Sequence, residues 1–217
     1  TLTAAGFDDP AALADGLERV KSGSRYLGLP ALSQQRFDAL VPQLLAIAAA
    51  AASEPGVADD IDGASRAQTV FLRLLSLLET VARRSAYLAL LSEHPAVLPR
   101  LAQLMGASAW AAAYLNRHPI LLDELLDARV RLAEPHWDAW RRELARLLAE
   151  QEDDPELQMD ALRHFQHAQA FRLLAQDLAG TMTVERLADH LSALADVVLE
   201  ATLATVWAHL CGPDAAP

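Results

Sequence analysis

The chain has 217 residues, a formal net charge of −11, 53% hydrophobic residues and only 6% aromatic ones. This is enough polypeptide to bury a sizeable core built mainly of Leu and Ala, in one large domain or two small ones. The acidic balance argues against a nucleic-acid partner, which needs a clustered basic face, and nine Gly with eleven Pro are too few for a loop-rich chain.

Helical periodicity runs through almost the whole sequence and strand alternation is nearly absent, so an all-α fold of roughly eight to ten helices is expected. No charged-then-apolar leader opens the chain. A first short helix is predicted from Pro10 to Val20, with Pro in an N1-like position. KSGSRYLGLP reads as a loop. Ser33 is expected to cap a second helix that reaches the Ala tract at 48–52. Its apolar run LVPQLLAIAAAAA (40–52) is broken by Pro42 and too short to span a bilayer, so no membrane is expected. SEPGVADDIDG is the next break. Phe71, Leu74, Leu78, Val81, Ser85 and Leu88 then share one face, which predicts a single long helix over 65–93.

EHPAVLPR, MGAS and NRHPILLDELLD punctuate shorter helices between about 95 and 127, because the residue before each Pro resists the α conformation. Trp137 and Trp140 fall in a helix of about 135–151. Pro155 starts another, which ends at Gly180 as a C′ residue. Thr183 caps a last helix to about His209, with Leu187, Leu191, Leu194, Val198 and Ala201 in register. Helices at 65–93, 155–179 and 183–209 are expected to form the spine of a bundle. The boundaries drawn are an N-terminal helical subdomain, 1–130, and a long-helix bundle, 131–217, together one compact unit. Cys211 is the only cysteine; it excludes a disulfide framework, fits a cytoplasmic location and has no obvious base beside it.

Four features invite chemistry. Asp160, His164 and His167 occupy a sector of about 60° on one helix, a spacing that can offer two imidazoles and a carboxylate to zinc. A bare H-x-x-H is equally the interval of any helix face, with no H-E-x-x-H or cysteine set to complete a site, so no metal is expected. Asp60 and Asp62 form an Asp-x-Asp pair of the kind that holds magnesium, but lie between helices rather than at a strand end and read as loop or capping residues. No phosphate loop, nucleophile elbow or catalytic triad is present, so no catalytic residue is assigned.

Arg172 shares a face with Ala161, Phe165, Ala168 and Ala175, where an unpaired guanidinium is costly. It must snorkel, pair inside the bundle with Asp196 or Glu200, or meet another surface. Asp177 lies in a last turn, where the helix dipole disfavours negative charge. Arg163, His164, His167, Arg172 and Asp177 are therefore the candidate inter-domain or partner contacts.

RRSAYLALLSEHP (83–95), HPILLDELLD (118–127), DALRHFQHAQAFRLLAQDLAG (160–180) and HLSALADVVLEA (190–201) occur in that order. Together they resemble the bacterial bifunctional glutamine synthetase adenylyltransferase/adenylyl-removing family. GFDDPAALADGLERVKSG is also similar to the start of that family's second half. The resemblance implies a long polypeptide with two nucleotidyltransferase domains using ATP and magnesium. One attaches AMP to glutamine synthetase and the other removes it, with glutamine and the PII signalling protein setting the balance. It further implies that this chain is the helical region before the adenylylating domain, flanked by nucleotidyltransferase domains. The family's Gly-rich turn and Ser-Asp-x-Asp are expected to begin shortly after Leu210, so the chain alone is expected to need no cofactor and to be inactive. PII and glutamine synthetase are the implied partners. A free-standing all-α adaptor is the alternative.

Overall fold

The computed structural model describes residues 7–52, 66–122, 135–151, 154–178 and 180–212. Among them are ten α-helices and no strand. The chain divides into two compact units, Thr1–Leu126 and Asp127–Pro217. The expected boundary at 130/131 and the Asp60–Asp62 pair both lie outside the described residues.

The first unit opens with α1 (Pro10–Ser22), capped by Asp9, whose carboxylate accepts from the amides of Ala11 and Ala12 at 3.0 Å each. The stretch read as a loop contains a short helix, α2 (Ser24–Leu27). The correction has a local cause: buried Tyr26 donates to Asp38 at 2.9 Å, and Lys21 approaches the same carboxylate at 3.0 Å. Gln34 Nε2 also donates to the Tyr26 carbonyl at 3.3 Å and the Phe37 ring lies 5.2 Å away edge to face, so partners further along the chain hold the turn. α3 (Ala31–Ala52) begins before Ser33, which is buried inside its first turn instead of capping it.

The long helix expected at 65–93 is two helices, α4 (Arg66–Val81) and α5 (Ser85–Glu93). Arg84 is extended between them, at φ −101° and ψ 93°. Val81 and Ala82 are already fully packed at the break, and Leu88 and Leu91 are buried after it. The apolar spacing survives the bend, which is why periodicity alone hides it. A 3₁₀ turn (Pro95–Val97) leads into α6 (Leu98–Ala107); Ser108 caps α7 (Ala109–Arg117), and a second 3₁₀ turn follows at Pro119–Leu121.

Helices α3, α4 and α6 pack against one another, with Phe37, Leu40, Leu74, Leu78, Leu101 and Met105 in the core. Gly106 permits a close approach of α6 to α4, because an added Cβ would lie 3.2 Å from Val70 Cγ2. Arg73 donates to the Met105 carbonyl, and burial pulls its guanidinium below its ordinary pKa.

The second unit contains α8 (Trp137–Ala149), α9 (Pro155–Leu178) and α10 (Val184–Cys211), each in contact with the other two. Asp154 caps α9 through the amides of Glu156 and Leu157. At its end, Gly180 adopts φ 67°; its N–H reaches the Asp177 carbonyl at 2.8 Å, and Thr181 N–H reaches that of Gln176 at 3.1 Å. This is the Schellman arrangement that a left-handed glycine makes possible. Thr183 then caps α10 by accepting from the Arg186 amide at 3.4 Å.

Leu144, Leu148, Leu162, Phe165, Leu173, Leu194 and Val197 form the core of this unit. Leu187, Val198 and Ala201 pack at its edge, while Leu191, expected in the same register, is exposed.

Candidate functional site

On α9 the buried positions include Gln158, Leu162, Phe165, Gln169 and Gln176. They follow the helical interval, but on a face rotated from the one expected through Ala161, Phe165, Ala168, Arg172 and Ala175, sharing only Phe165 with it. The other four of those residues are only half-buried. Leu and Phe remove far more apolar area from water than Ala, so they set the orientation and carry the glutamines inward.

Buried amides need partners. Gln158 finds two: its Nε2 donates to the Leu148 carbonyl at the end of α8 at 3.0 Å, and its Oε1 lies 2.7 Å from His209 Nε2 near the end of α10. The amide oxygen can only accept, so the imidazole N–H donates. One side chain thus ties three helix ends together.

Away from that clamp, aromatic rings join the same three helices. Trp137 and Trp140 meet edge to face at 4.8 Å, Trp140 meets Phe165 at 6.3 Å, and Trp137 lies 5.4 Å from the His190 ring. Arg141 of α8 reaches Glu200 of α10 at 3.3 Å. It rims an open apolar groove of about 240 Å³ lined by Leu144, Leu148, Val197, Ala201 and Ala204.

The five candidate contact residues are not gathered into one site. Arg163 is exposed and pairs with Asp160 at 2.8 Å, one turn earlier. His164 is exposed and His167 half-buried. Arg172 is half-buried and donates to Gln169 Oε1 at 3.1 Å, while Arg141 engages Glu200, one of its two expected carboxylate partners. Asp177 is half-buried in the last turn of α9, beside the glycine that ends the helix. Among the described residues, no three His, Cys, Asp or Glu side chains converge as a metal-binding group. Cys211 is exposed.

Sequence reasoning passed over Gln158, His209 and the Trp137–Trp140–His190 cluster. The available signal was the position of Gln158 four residues before Leu162 and seven before Phe165, which places a polar residue on the core face.

Residues 98–217 match the family model described as glutamate-ammonia ligase adenylyltransferase. The chain belongs to this family. It is 48% identical over 202 residues to the bifunctional glutamine synthetase adenylyltransferase/adenylyl-removing enzyme of Chromobacterium violaceum, covering 93% of this chain and 21% of that protein. The enzyme of the same description from Neisseria meningitidis serogroup B is 49% identical over 209 residues, covering 96% and 22%. That of Aromatoleum aromaticum is 50% identical over 179 residues, covering 82% and 18%. The chain therefore spans about a fifth of the length of the adenylyltransferase relatives it matches. Helices α6 to α10, including all five candidate residues, lie inside the family match.

Proposed function

We propose that this chain is a non-catalytic, helical connecting and regulatory segment of a glutamine synthetase adenylyltransferase/adenylyl-removing enzyme. The observation that carries this reading is the extent of the likeness. Identity near one half runs along almost all of the chain, yet accounts for only a fifth of each relative. In this reading, AMP attachment and removal occur elsewhere in the longer polypeptide, where ATP and magnesium are used, and the enzyme is cytoplasmic.

The helices would act mechanically. A packed bundle with directional contacts can hold two arrangements, and a ligand that favours one biases whatever adjoins it. Glutamine or the PII protein are the effectors of this reading. A coupling of about 1–3 kcal/mol changes the equilibrium affinity at one site five- to 150-fold when the other is occupied. Arg172 is the residue chosen to test this role, because a half-buried guanidinium joined to the buried Gln169 amide links the surface of α9 to its interior.

Arg172→Ala in the full-length enzyme, assayed for AMP attachment and removal with and without PII, is expected to change the PII response while preserving the melting temperature. An unchanged response with unchanged stability removes the regulatory role of this residue. AMP transfer by the 217 residues unaided would overturn the non-catalytic reading.

A further inference from the structure

The C-terminal part of α10 carries no charged side chain, yet most of the helix is exposed. By length and composition it could cross a membrane, although only 11% of its most apolar window is buried; the sequence expectation fixed on 40–52 instead because acidic residues interrupt this longer stretch. The inner face carries Leu194 and Val197 against α8 and α9. The outer face carries Leu199, Leu203, Val206 and Leu210, at successive intervals of four, three and four, and 66%, 57%, 41% and 79% exposed. Residues 201–211 contain no Asp, Glu, Lys or Arg in a chain that is 22% charged. Trp207, also exposed, is one turn from both Leu203 and Ala204, so it joins this stripe to the apolar groove between α8 and α10. A row of large exposed apolar side chains on a rigid helix is a contact surface.

We infer that this outer face of α10 is where another part of the same adenylyltransferase polypeptide packs, an inference that rests on the connector reading. Three observations select this occupant. First, the relatives are about five times longer than the matched stretch, so apolar surface can be supplied from the same chain at high effective concentration. Second, a second copy would bring a further net charge of −11 against the first, and would do so beside Asp196 and Glu200 at the start of the stripe. Third, a lipid surface favours helices rich in Lys and Arg on their polar face, whereas Arg186 is the only such residue on α10.

The test uses thiol labelling in a Cys211→Ser background. Leu203→Cys and Val206→Cys report on the face, and Glu143→Cys on exposed α8 serves as the control. In the 217-residue chain all three should react with maleimide at the rate of an exposed thiol. In the full-length polypeptide the first two should slow at least tenfold and the control should not. Equal rates in both proteins overturn the inference. So does protection in the 217-residue chain that grows with its concentration, the mark of a second copy. Protection of that chain by phosphatidylcholine–phosphatidylserine vesicles overturns it in favour of lipid. Protection in the full-length enzyme with PII regulation undisturbed by Arg172→Ala keeps this surface and removes that regulatory role, so the two readings fail separately.

Discussion

The two units place the same kind of residue differently. In α1–α7 most Leu and Phe side chains are buried, with Phe37, Leu40, Phe71, Leu88 and Leu98 at most 1% exposed, and the exposed Leu27, Leu32 and Trp110 are scattered over three helices. In α8–α10 the buried apolar cluster is supplemented by rings, a buried glutamine clamp and an ion pair, while α10 keeps bulky apolar side chains outside. The difference teaches that hydrophobic content alone does not say where a core is. The first unit leaves single apolar side chains outside; the second lines several of them up along one helix.

Substitutions can break or sharpen this contrast. Phe71→Ala should have the largest effect, destabilising the 217-residue chain by about 3–5 kcal/mol in denaturant unfolding, since a close-packed site cannot collapse around the cavity. Leu144→Ala should cost about 2–4 kcal/mol, with the increase in hydrogen exchange concentrated in α8–α10. Gln158→Leu should cost about 1–3 kcal/mol by leaving the Leu148 carbonyl and His209 without this partner, and should raise exchange most in the last turns of α8 and α10. A loss as large as that of Phe71→Ala would mean that the clamp, not the apolar cluster, organises the second unit.

A smaller effect concerns the first unit's polar edge. The hydrogen bond to Asp38 raises the Lys21 pKa above 10.5, and burial followed by the Asp38 contact raises that of Tyr26 above 10.0. Both groups hold their protons more tightly when folded, so their contribution is complete below pH 10 and is lost as pH rises through the folded values. Tyr26→Phe should cost about 1 kcal/mol near neutrality and flatten the alkaline decline measured by chemical unfolding. Leu203→Ser should be the mildest, within about 0.5 kcal/mol in the 217-residue chain, because its site is already in water. A large loss there would show that the outer face is structural.

The pattern of legibility follows the range of the forces. Asp154 before Pro155, Gly180 and Thr183 act on backbone groups within a few residues, so helix ends there can be read locally. Tyr26 draws its turn from Asp38, twelve residues on, and Arg84 breaks a face whose spacing continues across it; neither is visible in a local window. On α9 the spacing picks out Phe165 with three alanines and one arginine, whereas Leu162 together with Phe165 sets the orientation and buries glutamines. Arg172 was legible as a charge needing company, but its glutamine neighbour was not. On α10 the register through Leu187, Leu191, Leu194, Val198 and Ala201 does not single out the exposed stripe, because periodicity counts apolar residues without knowing which side is covered.

The clamp at Gln158 makes one end of the three-helix unit brittle. Methyl groups slide past each other with gradual loss, whereas a 2.7 Å contact to His209 and a 3.0 Å contact to Leu148 fail over a fraction of an ångström. A tug on the final turn of α10 would therefore register abruptly at the turn leading out of α8, as a latch releasing and not as a spring stretching.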